Sequence, residues 1–330
     1  MRKTVCATLA VMMSVLFSPL SQAGQAWESY KARFFKPEGR IVDTGNGGVS
    51  HTEGQGFAML MAVANDDKAT FDKLWQWTNR ELKNKENGLF YWRYNPAESN
   101  PVADKNNAAD GDVLIAWALL KADARWHEKR YGAASDAITK ALVAHSVIRY
   151  AGYRVMLPGV QGFKLDGEVV LNPSYFVFPA WQAFAGRSHL PVWRDLIKDG
   201  KRLLGKMGSG KADLPADWVS LASDGKLEPA KGWPPRMSYD AIRIPLYLAW
   251  SDKQSPLLAP WKAWFGQFPR EQTPAWVNVT TNEYAPYMME GGLLAVRDLT
   301  MGQSSGEPEI TSKDDYYSAS LKMLVWISAQ

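Results

Sequence analysis

The sequence predicts an all-α protein, a toroid of paired helices with long aromatic-rich loops and one small β-hairpin. Three observations carry this. About eleven segments show the apolar period of helices. Several of them are apolar on more than one face, which places them between two layers of neighbours. The connections are long and rich in aromatic residues rather than in Pro and Ser, so they read as ordered parts of one domain.

The chain opens on residues 1–23. Arg2 and Lys3 precede the apolar run Val5–Leu16, and Ser21-Gln22-Ala23 follows. These are the three parts of an export signal with a small-residue cleavage site. The run is too short for a membrane anchor. The mature protein is expected to begin near Gly24, to form one catalytic-size domain over residues 24–330, and to work as a monomer in the periplasm or outside the cell. Cys6, the only cysteine, lies inside the signal, which excludes disulfides and thiolate chemistry from the mature chain.

Helices are expected over residues 27–35, 54–64, 68–82, 110–126, 131–150, 175–185, 193–207, 238–250, 257–268, 288–297 and 316–328. The segment 110–126 carries Val113, Leu114, Ala116, Trp117 and Leu120, and 238–250 is apolar on most sides. An inner ring of helices wrapped by an outer ring accounts for such segments. The connection 153–172 alternates in polarity. It holds Asp166-Gly167 between Phe163-Lys164-Leu165 and Val169-Val170-Leu171, the pattern of a β-hairpin.

Composition narrows the function. The formal charge of +4 falls to +2 when Arg2 and Lys3 leave with the signal, and no basic block interrupts the chain. Nucleic acid is therefore not an expected partner. The chain holds 15 Trp, more than a core needs, and with its tyrosines these provide surfaces that stack on sugar rings.

Three acids share one context. Glu53 follows Ser50-His51-Thr52, Asp110 follows Asn107-Ala108-Ala109, and Asp240 follows Ser238-Tyr239. Each stands at an expected helix start behind a Ser or Asn that could cap it. Ser50 and Glu53 have the spacing of a capping box. If these are inner helices of a toroid, their starts gather three carboxylates at one rim. Hydrolysis of a glycosidic bond with inversion needs one carboxylic acid for the leaving oxygen and one carboxylate to activate water. Glu53, beside Phe57, suits the acid. Asp240, with Arg243 one turn on, suits the base. Spacing alone leaves the two roles interchangeable.

At these residues the sequence resembles glycoside hydrolase family 8, and within it the short secreted or periplasmic bacterial endoglucanases. The matching blocks are Ser50-His51-Thr52-Glu53-Gly54-Gln55-Gly56, Asn106-Asn107-Ala108-Ala109-Asp110-Gly111-Asp112, Asn172-Pro173-Ser174-Tyr175, and Arg236-Met237-Ser238-Tyr239-Asp240-Ala241-Ile242-Arg243. They stand in family order and span almost the whole mature chain. The resemblance implies an (α/α)6 barrel, inverting cleavage of β-1,4-glucan, Glu53 as general acid and Asp240 as general base. It implies that Asp110 holds the distorted sugar, that Tyr175, Tyr239 and Arg243 surround that subsite, and that Trp92 stacks on a sugar. No cofactor or metal is implied.

Other readings stay in view. Chitosan, xylan or mixed-linkage β-glucan could be the substrate of the same acids. A non-catalytic glucan-binding protein is a further alternative, although it has no need of both Glu53 and Asp240. His51 reads as a loop hydrogen-bonder, and four scattered histidines form no metal cluster. Asp112 and the pair Asp314-Asp315 read as structural acids at helix starts. Trp75 and Trp77 read as packing, whereas Trp92, Tyr94 and Trp233, in loops, read as sugar platforms.

Overall fold

The computed structural model describes residues 24–303 and 306–330, so the expected signal at 1–23 lies outside the described residues. The helices, in chain order, are α1 (Gln25–Phe34), α2 (Thr52–Ala64), α3 (Lys68–Glu81), α4 (Ala109–Trp126), α5 (Lys129–His145), α6 (Phe178–Ser188), α7 (Pro191–Leu204), α8 (Arg243–Ser251), α9 (Ala259–Phe265), α10 (Gly291–Thr300) and α11 (Tyr316–Ser328).

Six of them close a ring. α2 packs on α4, α4 on α6, α6 on α8, α8 on α10, α10 on α11, and α11 back on α2. α1, α3, α5, α7 and α9 lie outside, each against an inner helix. Among the described residues this is the (α/α)6 arrangement with one outer position not helical, since residues 306–315 form bends, turns and irregular chain. The ring explains the sequence pattern. α2 is buried at 11 of its 13 positions because neighbours cover it on every side. α7, an outer helix, buries one stripe formed by Trp193, Leu196, Gly200 and Leu203.

Two glycines set the closeness of α2 and α4. A Cβ placed on Gly111 would stand 2.1 Å from Thr52 Oγ1, and one on Gly56 would stand 2.5 Å from the Leu114 Cβ. No side chain fits at either point, so the two helices meet backbone to backbone at their starts.

Short strands decorate the rims. β1 (Ser50–His51) pairs with β2 (Arg93–Tyr94), β3 (Val147–Tyr150) with β4 (Tyr153–Met156), and β5 (Glu168–Leu171) with β6 (Val219–Ala222), which also pairs with β7 (Leu227–Pro229). β8 (Arg236–Met237) pairs with β9 (Val277–Asn278). The expected hairpin at Asp166-Gly167 is real but minor. It closes through a single bridge, Lys164 to Val169, because β5 takes its main partner from the later loop.

Other expectations shift. The helix expected over 131–150 stops at His145. The β-branched and aromatic run after it turns back at Ala151 and Gly152, both with positive φ, as a two-residue hairpin turn requires. The helix expected from Ser238 starts at Arg243.

Candidate active site

The first turn of α2 carries Glu53. Its N-cap is His51, not Ser50: the His51 Nδ1 accepts from the Gly54 N–H at 3.4 Å. The Ser50 hydroxyl instead donates to the Ile41 carbonyl at 2.5 Å and accepts from Arg40 at 3.1 Å. The capping-box reading of Ser50 is thus replaced, because the β1 pairing turns that side chain into the core. His51 Nε2 meets Asp43 at 3.1 Å. Burial lowers the pKa of the imidazole, but Asp43 and the nearby acids outweigh it and leave the value raised.

Arg243 organises the rest. Its side chain is 3% exposed and faces three carboxylates. It donates through Nη1 to Glu53 and through Nη2 to Asp240 at 3.0 Å, and Asp110 lies 3.8 Å from Nη2. It also donates to Ser174 Oγ at 2.9 Å. The ring therefore brings Glu53, Asp110 and Asp240 from three distant stretches to one guanidinium. Glu53 also accepts from the Tyr316 hydroxyl at 3.5 Å.

The three acids differ in surroundings. Asp110 is buried, and burial pushes its carboxyl up to about 7 against the pull of Arg243. Asp240 is the most open of them, with a third of its side chain exposed. Burial still raises its pKa, while Arg243, the Asn172 amide at 3.1 Å and the Trp218 indole favour its ionised form. The expected help of a helix N-terminus is missing, since Asp240 precedes α8 by three residues.

Around this centre lie the other predicted residues. Tyr175 ends a short 3-10 turn, and its ring meets the edge of Trp218 at 6.1 Å. Tyr239 is exposed, with its hydroxyl 3.3 Å from that of Tyr287. The Tyr317 hydroxyl donates to the Tyr239 carbonyl. Tyr239, Tyr287 and Tyr317 line a groove of about 630 Å³ that also includes Met288 and Lys313. Trp92 adjoins the first turn of α2: its carbonyl accepts from the Thr52 N–H at 3.0 Å, and its indole donates to Asp104 at 2.7 Å.

The arrangement can do acid–base chemistry. The chain matches the family described as glycosyl hydrolases family 8 over residues 1–330. It belongs to that family. An endoglucanase of Cellulomonas uda is 62% identical over 92% of this chain and 84% of its own length. A probable endoglucanase of Novacetimonas hansenii is 40% identical over 92% and 90%. The crystal structure of a family 8 endoglucanase from Klebsiella pneumoniae superposes with a TM-score of 0.92 at 66% identity, covering 93% of this chain and 99% of the other. An endo-β-1,4-glucanase from Acetobacter xylinum superposes with a TM-score of 0.88 at 39% identity, covering 92% and 97%.

In this family 8 hydrolase, some aromatic residues differ from their expected use. Tyr94 packs edge-on against Trp77 at 5.2 Å and under Arg40, so it is part of the core wall and no free platform. Trp233 stacks on Trp218 at 5.0 Å, and Trp218 stacks on Phe163 at 5.7 Å. Trp75 and Trp77 pack inside, as their helical spacing implied. Asp112 is a buried structural acid: it accepts from the Phe90 N–H at 2.9 Å and from Asn107 at 2.8 Å. Asp315 caps α11 by accepting from the Ser318 N–H at 2.7 Å.

Sequence reasoning missed Asn172, Ser174, Asp217 and Trp218 as neighbours of the site. The first two stood inside a block already quoted for Tyr175. Asp217 and Trp218 belong to a loop whose only signal was its aromatic content.

Proposed function

We propose that this chain is an endo-β-1,4-glucanase that cuts inside β-1,4-glucan chains with inversion. The activity follows from the family and from the named relatives. The observation that carries the mechanism is the sharing of Arg243 by Glu53 and Asp240, which holds two carboxylates from distant parts of the chain at one guanidinium. Glu53 is the general acid and gives a proton to the leaving glycosidic oxygen. Asp240 is the general base and takes a proton from the water that attacks the anomeric carbon. Asp110, protonated in its buried position at mildly acidic pH, can donate a hydrogen bond to the sugar at the cleavage site. Tyr175, Tyr239 and Arg243 surround that sugar, and Trp92 stacks on one further along. The polymer is the partner, and neither a cofactor nor a second subunit enters the reaction.

The residue roles are tested by Glu53→Gln and Asp240→Asn. Each should lose at least a hundredfold in kcat on carboxymethylcellulose while still binding glucan, about the contribution of a positioned acid or base. Near-parental turnover of either variant would remove its assignment. Proton NMR of the first product should show the α-anomer; a β-anomer would rule out inversion. Xylan, chitosan and mixed-linkage glucan, assayed alongside, should be cut more slowly.

Residues 1–23 would direct export, and the single domain over 24–330 would act as a monomer in the periplasm or beyond it. No helix among the described residues is long and apolar enough to cross a membrane. N-terminal sequencing of the exported protein should start near Gly24.

A further inference from the structure

Asp240 lies in an irregular turn rather than on a helix. The Ile242 N–H bonds to the Ser238 carbonyl and the Arg243 N–H to the Asp240 carbonyl, each at 3.0 Å, before α8 begins. Such a turn leaves backbone N–H groups without partners, and α8 has no capping side chain of its own. Asp217 fills that role from another loop. Its Oδ1 accepts from the Ser238 N–H and from the Ala241 N–H, both at 2.8 Å, and its Oδ2 accepts from the Ser238 hydroxyl. The Asp217 N–H in turn donates to the Arg236 carbonyl at 2.7 Å. Its neighbour Trp218 stacks on both Phe163 and Trp233 and lies near enough to the Asp240 carboxylate to favour its ionised form. Residue 217 thus holds Asp240 through the backbone of its turn, with residue 218 beside its side chain.

We propose that Asp217 is a positioning residue for Asp240: it fixes the turn that aims this carboxylate and sets a second negative charge beside it. The proposal rests on Asp240 being the general base. Three groups favour the ionised form of Asp240, namely Arg243, Asn172 and Trp218. Glu53, Asp110 and Asp217 face it as acids. Burial pushes Asp217 itself up to about 6, and the charge of Asp240 adds to that rise. The carboxylate therefore does two things. It takes up free N–H groups that would let the turn wander, and it biases the base against ionising too early as pH rises.

The test compares Asp217→Asn with the parent and with Asp240→Asn, using kcat and KM on a soluble cello-oligosaccharide from pH 4 to 8 and thermal melting of each protein. Asp217→Asn should lower kcat roughly tenfold with KM within about twofold, since the amide nitrogen in place of Oδ2 cannot accept from the Ser238 hydroxyl and the charge beside the base is removed. The acidic limb of its kcat profile should move to lower pH, because the like charge that Asp217 carries beside the base above about pH 6 has gone. A purely structural role would lower the melting temperature and leave both the limb and the kcat of folded enzyme in place, and that result would overturn the proposal. Parental turnover by Asp240→Asn would overturn the base assignment and the proposal together. An inactive Asp240→Asn beside a parental Asp217→Asn would overturn the positioning role alone. Should Asp217→Asn not fold, Ser238→Ala removes one tether and keeps the charge. It should lower kcat roughly threefold at unchanged KM, and a parental kcat would again overturn the proposal.

Discussion

Arg243 and Glu53 form an ion pair across 190 residues of sequence, and the Arg243 side chain is almost fully buried. One guanidinium serves three carboxylates there. Removing it, as in Arg243→Met, leaves buried acids with no cation. Breaking such a pair from one side costs about 3–5 kcal/mol. The loss depends on pH. Without Arg243, Asp110 and Asp240 resist ionisation more strongly, so the variant gives up stability as pH rises and they are forced to charge. The gap in melting temperature between variant and parent should therefore be wider at pH 8 than at pH 5. Turnover should fall at least a hundredfold as Glu53 and Asp240 lose their common anchor.

Two acids make the parent protein itself sensitive to pH. Burial pushes Asp110 and Asp112 each up to about 7, well above an unfolded carboxyl near 3.8. A raised folded pKa contributes stability that is full below the unfolded value and is lost as pH climbs through the folded one. The melting temperature of the parent should decline between pH 4 and pH 7. Asp112→Asn isolates one share of this. It should melt lower than the parent at pH 4, where Phe90 and Asn107 both aim donors at this side chain, and its decline toward pH 7 should be shallower. Equal slopes in the two proteins would mean that Asp112 is ionised throughout.

Much of this site was legible because its carboxylates sit in compact local blocks. Glu53 and Asp110 lie at helix starts that apolar periodicity locates to within two residues or so, and a ring of helices gathers such starts at one rim. Asp240 was legible as a residue but not as a conformation. Its helix starts late because β8 pairs with β9 and holds Arg236 and Met237 extended, so the chain must turn before α8 can form. That pairing is nonlocal and leaves no mark on residues 238–242. Asp217 was hidden for the same reason, since it contacts the turn 21 and 24 residues away from a loop without period. Ser50 shows the converse. Its spacing to Glu53 fits a capping box, but the β1–β2 pairing spends its hydroxyl on Ile41.

Trp92 is held in place without being buried. Its indole N–H is bound to Asp104, and its backbone is tied to Thr52 and Asn106, so the ring is fixed beside the first turn of α2. Trp92→Ala should raise KM on cello-oligosaccharides about tenfold, equivalent to ~1.4 kcal/mol of lost contact. The kcat at saturation should change far less, because the interaction is present in both ground and transition states. Asp104→Ala should show the same pattern more weakly. A fall in kcat at constant KM would instead place Trp92 among the groups that act on the reacting bond.

The glycines of the ring separate two effects of adding one methyl group. At Gly111, a new Cβ would run into Thr52 Oγ1 at 2.1 Å and the Thr52 backbone at 2.9 Å, and Thr52 adjoins Glu53. The α2–α4 contact has no slack there, so the helices must part. Gly111→Ala should cost about 1–3 kcal/mol of stability as an overpacked core does. It should also lower kcat, because the shift passes directly to the acid. At Gly186, exposed in α6, nothing lies within 4 Å of the same methyl. Gly186→Ala should stabilise by about 0.5–1 kcal/mol through helix propensity alone and leave kcat unchanged. Chemical denaturation of both variants, with kcat measured on each, checks the pair. A neutral Gly111→Ala would mean that α2 and α4 are free to separate, and that their contact does not fix the position of Glu53.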